Sequence, residues 1–223
     1  MDERLRQLER RLRGGDADAA ALLRERLRAG QVTARDLGLA AWLGSRDARA
    51  VLNEASLPAP ADEQLGAAWV DGLREWGMTL PLRAALAAAS AASFVFAAER
   101  PGDLRPSQAL ARAQRTLDAL ERGEASQEDL LAMHESAAGS SEAAYAAGSG
   151  PACWAAQAAC AVAVALASLG ETSTPGRIGR GRIPHAWSAI DAAARALGGP
   201  APARAAIAAV LLPPLLREGW ETP

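Results

Sequence analysis

Three properties of this chain predict an all-α fold. Alanine supplies roughly a quarter of the 223 residues, aromatic residues only 4%, and runs of β-branched residues are nearly absent. Alanine loses no side-chain entropy on entering a helix. A sequence this rich in it reads as an irregular, alanine-rich helical bundle of about ten helices, with a core that needs no disulfide at this length.

The elements follow from their punctuation. Leu5, Leu8 and Leu12 form one stripe of a first helix from Asp2 to Arg13, which Gly14 and Gly15 end. Asp16 caps a second helix to Arg28, with Leu23 and Leu27 as its inward row, and Gly30 closes it. Thr33 and Asp36 stand at capping-box distance before a third helix that ends at Gly44. Ser45 starts a fourth, whose apolar part is Ala50, Val51 and Leu52. The segment SLPAPA, from Ser56 to Ala61, cannot continue a helix, because its two prolines lack the amide a helix interior requires. It marks a boundary between a small N-terminal helical module, 1–56, and an alanine-rich helical domain, 61–223.

Beyond the boundary, Leu65, Trp69, Leu73 and Trp76 fall at helical spacing, as a face that docks on the main body. Leu80 to Glu99 is a mostly apolar helix, broken by Arg100, Pro101, Gly102 and Asp103. Pro106 suits the first turn of the next helix, which runs through Leu120 and stops at Gly123. Ser126 and Asp129 resemble a capping box and begin an acidic helix that extends toward Ala147 unless Gly139 interrupts it. Pro151 to Leu169 reads as a buried central helix. After an irregular segment from Glu171 to Pro184, two helices close the chain, from His185 to Leu197 and from Ala203 to Arg217, the latter interrupted by Pro213 and Pro214. No period of 30 to 45 residues repeats, which counts against a solenoid.

Charge is distributed unevenly. Every one of the 24 basic residues is arginine, the composition of a GC-rich bacterial coding sequence, and the net charge of −2 counts against a nucleic-acid binder. From Gly123 to Gly176 there is no arginine, and from Ala143 to Gly170 no charge of either sign. Gly148 to Pro151 splits that uncharged stretch and alanine drives insertion poorly, so a buried helix is expected here, not a membrane span. Within the acidic helix Glu128, Glu135 and Glu142 recur every seven residues, two helical turns, and so share one face with about 20° of drift per step. No cation lies four residues from any of them. The strip is either a solvated face or a negative surface that steers a cationic partner, and these three glutamates are the candidate partner-binding residues.

Signs of chemistry are few. His134 and His185 lie in different helices without ligand spacing, and Cys153 and Cys160 have no basic neighbour in sequence to activate a thiol. The two cysteines sit about 10 Å apart along one helix, too far to pair with each other, and read as buried thiols of a reducing compartment, the cytoplasm. No phosphate-binding loop, cofactor signature or metal motif occurs, and the charged N-terminus lacks an apolar signal region. Arg177, Arg180 and Arg182, on the glycine-rich GRIGRGR, fit either a phosphate contact or a loop whose arginines reach back to acidic side chains.

The corner Glu99, Pro101, Gly102, Asp103, Arg105, Pro106, Ala109 and Leu110 follows the pattern E-x-P-G-D-x-R-P-x-x-A-L. Together with the alanine-rich helix after Pro151, it resembles the Imm-5-like immunity protein family over about residues 84–170. The chain departs from that family at Leu117 or Leu120, where a tryptophan is common, and around Cys160, where histidines are. The first 55 residues, with LLRERLRAG and LAAWLG, resemble a helical module of uncharacterised myxobacterial proteins. The first resemblance implies a non-enzymatic protein that neutralises a toxin by occlusion; a helical adaptor or oligomeric scaffold, binding another protein or itself, is the alternative. Apart from either resemblance, Asp103 is placed to accept from the amides that follow it, with Arg100 and Arg105 as flanking surface charges.

Overall fold

The computed structural model describes residues 6–7, 19–52, 65–172, 184–212 and 216, and all the regular structure among them is helical. The chain divides into two compact units, Met1–Asp62 with Leu212–Pro223, and Glu63–Leu211. The SLPAPA segment, GRIGRGR, most of the first expected helix and the Pro213–Pro214 pair lie outside the described residues.

In the first unit, α1 (Ala19–Arg28) and α2 (Ala34–Trp42) each pack directly on the short α3 (Arg46–Leu52). The Thr33 hydroxyl accepts from the Asp36 amide at 3.1 Å while the Asp36 carboxylate accepts from the Thr33 amide at 2.9 Å, the reciprocal box its sequence predicts. Two inward rows differ from expectation. On α1, Leu22, Leu23 and Arg26 are buried and Leu27 only half-buried; on α3 the buried residue is Ala48, while Ala50 faces solvent. Helices α1 and α3 pack on each other, and which face of each turns inward is set by packing that the local pattern does not contain.

The second unit is built around α9 (Pro151–Thr172). Five helices enclose it: α5 (Leu80–Glu99), α6 (Arg105–Arg122), α7 (Gln127–Leu131), α8 (Met133–Ala147) and α10 (Pro184–Leu197). This enclosure accounts for the uncharged sequence before Glu171, since a charge on the enclosed face of α9 would leave water without a partner to receive it. Ala155, Ala156, Ala158, Ala159, Ala163, Ala165 and Ala167 are all buried. Such small side chains let helix axes approach to about 8 Å, where backbone and methyl groups supply the dispersion contacts that larger side chains supply elsewhere. Next to α9, α5 carries its own alanine row and packs also on α10 and on α11 (Pro200–Leu211).

At the unit's N-terminal side, Leu65, Trp69 and Leu73 are buried as their spacing predicts, and Trp76 is half-buried. The helix is shorter than expected: α4 spans Ala67–Gly72 and tightens into a 3-10 turn at Leu73–Glu75. The Trp187 indole donates to the Leu65 carbonyl at 3.0 Å and ties α10 to the residues before α4.

The acidic helix is two helices. Ser126 and Asp129 do form a capping box, but the helix they open ends at Ala132, whose ψ of −12° unwinds it, and not at Gly139. The two segments have different partners. The Gln127 amide donates to the Gly170 carbonyl at 3.1 Å, so α7 is pinned to the C-terminal turn of α9, whereas α8 runs beside both α9 and α6. Gly170 permits the pinning, because a Cβ there would lie 3.0 Å from the Leu130 Cβ.

Two helices, Leu80–Glu99 and Pro151–Glu171, are long and apolar enough to cross a membrane by length and composition, with mean hydropathies of 1.5 and 1.8. In this fold 56% and 67% of those stretches are buried within the protein.

Two glycine-to-alanine substitutions should act in opposite directions. At Gly139 a Cβ would meet only Arg105 side-chain carbons, the nearest at 3.8 Å, so G139A should stabilise by about 0.5–1 kcal/mol through helix propensity. G170A forces α7 from α9 and should destabilise by about 1 kcal/mol or more despite the same gain. Urea unfolding of the three proteins checks this, and a stabilised G170A would show that the α7–α9 approach does not matter.

Candidate functional site

The corner between α5 and α6 organises one side of the second unit. Asp103 Oδ1 accepts from the Arg105 amide at 3.2 Å, closing the turn as expected, and also from Arg105 Nε at 2.9 Å. Asp103 Oδ2 accepts from Arg105 Nη2 at 2.7 Å, so the guanidinium is held in a two-pronged grip. Its remaining arm, Nη1, donates to Glu142 on α8 at 3.1 Å. Arg100 crosses to the same helix and donates to the Ala146 carbonyl at 3.0 Å, placing a cation at the C-terminal end of α8, which has none of its own. Arg100 and Arg105 are therefore not bare surface charges: both fasten α8 to the corner. The Arg105 guanidinium holds the Asp103 carboxyl below the usual carboxylate range.

A second set of charges locks α5 to α6. Arg83 Nε donates to Glu121 at 3.0 Å, its Nη2 lies between Glu121 and Asp118, and the Thr79 hydroxyl donates to Glu121 at 2.8 Å. Hydrogen bonding from Arg83 lowers the Glu121 carboxyl, and bonding from Gln114 and then Arg83 lowers Asp118. At the start of α7 the Ser126 hydroxyl and amide lower Asp129.

The three glutamates expected on one helix face are separated by the break at Ala132. Glu128 belongs to α7; Glu135 and Glu142 share the outer face of α8 with Ala138 and Tyr145, at spacings of three, four and three residues, and all four are exposed. Nor is the strip without cations. Arg105 pairs with Glu142, and Arg112 Nη1 lies 3.8 Å from Glu135, both arginines coming from α6. Glu128 makes no ion pair with any described residue. The most exposed large hydrophobic residue among those described is Tyr145, at 90%.

Between α6 and α8 runs an open groove of about 520 Å³, lined by Arg105, Gln108, Ala109, Arg112, Arg115, Glu135, Ser136 and Gly139. Arg105, Gln108, Arg112 and Arg115 recur at intervals of three, four and three, a single helix face. That spacing was present in the sequence, obscured by the acidic pattern on the helix opposite. A second groove, also about 520 Å³, lies among Leu65, Trp187, Asp191, Arg195 and the Gly198–Pro200 turn.

The other candidates stand apart. His134 pairs with Glu171 at 3.0 Å on the surface, and no cluster of three or more His, Cys, Asp or Glu side chains fit to hold a metal occurs among the described residues. Cys153 and Cys160 are free thiols, the first buried and the second half-buried, and burial pushes the Cys160 thiol up, away from the reactive thiolate. Compared with protein-family models, curated proteins and solved structures, the chain matches none.

Lowered carboxyls fix the sign of the pH response. Asp103, Asp118, Glu121 and Asp129 titrate lower in the folded chain than in the unfolded one. Their contribution to stability is fully present above the unfolded values of about 4 and is lost as pH falls through the folded values beneath. The urea midpoint should hold between pH 7 and 5 and fall below about pH 4. In D103N the acid-induced fall should be smaller than in the parent, and an equal fall would remove Asp103 from the account.

Proposed function

We propose that this chain is a non-enzymatic helical protein that recognises another protein through the outer face of α8. The observation that carries this reading is Tyr145, whose ring stands 90% exposed one turn beyond Glu142. Tyrosine combines a large apolar ring with a polar tip and little conformational entropy, and for that reason is enriched among the residues that dominate interfaces. Around it the α8 face is low, with Ala138, Ser141 and Ala146 exposed, so a partner can approach the ring closely. Glu128, Glu135 and Glu142 act as rim charges that steer a cationic partner, Glu128 most strongly because Arg112 and Arg105 stand beside the other two. The resemblance of the Glu99–Leu110 corner to the Imm-5-like immunity family gives this recognition a role, neutralisation of a toxin by occlusion. The reading requires no cofactor and no metal, and it places the protein in the cytoplasm.

A second reading, a helical adaptor or oligomeric scaffold, is favoured by the division of the chain into two compact units. Under it, the N-terminal unit docks onto neighbouring copies. Sedimentation of the full chain against one beginning at Ala61 separates the two: self-association lost on truncation supports the scaffold.

Capture from an extract of the source organism tests the first reading. Tyr145→Ala should weaken retention of the partner by about 30-fold, the size of an interface hot spot. Glutamine at 128, 135 and 142 together should slow association at low salt while leaving dissociation nearly unchanged, with thermal melting as the folding control. A protein retained equally by the parent and the tyrosine variant would refute the α8 face.

A further inference from the structure

We infer that the groove between α6 and α8 is a binding site for a small oxyanion, a phosphate- or carboxylate-bearing ligand. Three arginines and one glutamate line it, and with Asp103 and Glu142 bonded to Arg105 the cations most available to a ligand are Arg112 and Arg115. The three arginines are committed to different degrees. Arg105 is oriented by Asp103 and tethered to Glu142. Arg112 is 3.8 Å from Glu135, within ion-pair range but beyond hydrogen-bond range, and its charge also reaches Asp129. Arg115 is exposed and makes no ion pair with any described residue. Gln108 and Ser136, the groove's uncharged polar side chains, likewise make no side-chain hydrogen bond among the described residues. The groove thus presents guanidinium, amide and hydroxyl donors toward a common space, with one acceptor, Glu135, on its wall.

The floor fits the same purpose. Ala109 and Gly139 are the smallest residues lining the groove, and a Cβ at Gly139 meets nothing nearer than the Arg105 Cδ at 3.8 Å. The glycine is not required by backbone strain, since it lies inside α8 and is not among the residues with positive φ. Its effect is to leave the groove open. Arg112 and Arg115, one turn apart, can grip one oxyanion between them, and Arg105, about 10 Å along the helix from Arg112, can meet a second acidic group of a longer ligand. The site does not depend on protein recognition by Tyr145.

Calorimetric titration of the full chain at low ionic strength, with pyrophosphate in one arm and citrate in the other, tests the site and identifies the acidic group it takes. Saturable binding of either is expected. Arg115→Gln should weaken it about tenfold, the factor for one charge-assisted hydrogen bond, and Gly139→Leu, which fills the floor without removing a charge, should weaken it at least as much. Tyr145→Ala should leave the titration unchanged, so failure here and failure of the protein-binding face are distinguishable. Absence of binding in both arms, or equal binding by R115Q and G139L in proteins with unaltered melting, would overturn the assignment.

Discussion

A helix enclosed by five others can carry neither charge nor bulk, and α9 satisfies both conditions along nearly its whole length. The rest of the second unit is arranged by that requirement. Helices α5, α6, α8 and α10 run close to it because alanine permits the approach, and α7 abuts its last turn because Gly170 does. Each alanine buries little apolar area, so the core gains its stability from the number of close contacts and not from large anchoring side chains. The residues that fill the remaining volume, Leu82, Leu117, Met133, Leu166, Ile190 and Ile207, come from six different helices.

Apart from the buried hydroxyls of Thr116 and Ser140, polar side chains of this unit lie at the periphery of the core, where several act as cross-links between neighbouring helices. Arg83 joins α5 to α6, Arg105 joins the corner to α8, and Gln127 joins α7 to α9. The corner with the most distinctive sequence and the helix with the most conspicuous charge pattern are joined by Arg105, which bonds Asp103 and Glu142 at once. An exposed ion pair contributes little by itself. Two arginines reaching one helix from a single turn define its position more than they define its energy, and the α8 face, the groove and the corner follow from that position.

What the sequence discloses is governed by distance along the chain. The Thr33–Asp36 and Ser126–Asp129 boxes were legible because each is complete within four residues, and the burial of α9 because the absence of charge is itself local information. The break at Ala132 was not, since alanine there carries no local stop signal, and the neutralisation of Glu142 was not, since its partner lies 37 residues earlier in the chain. Helical phase failed in the short elements for a related reason: Ala48 replaces Ala50 in the core, and Arg26 is buried where Leu27 was expected, because a helix of two or three turns can rotate to suit its neighbours. The arginine face of α6 is a different case. Its spacing was local and complete, but a basic row on an amphipathic helix has no meaning until the helix beside it is known.

The alanine contacts around α9 also decide which sequence changes the fold can absorb. In an ordinary core most substitutions remove volume, and the protein relaxes partly into the cavity. At the buried alanines of α9 there is almost no volume to remove, so nearly every change there adds atoms, and adding more than one or two is accommodated only by displacing a neighbouring helix. Drift in this region is therefore limited from above. Glycine, serine and cysteine can replace alanine there at modest cost, while valine or leucine would require matched changes on a facing helix, making the central helix of this bundle its least negotiable segment despite having its simplest composition.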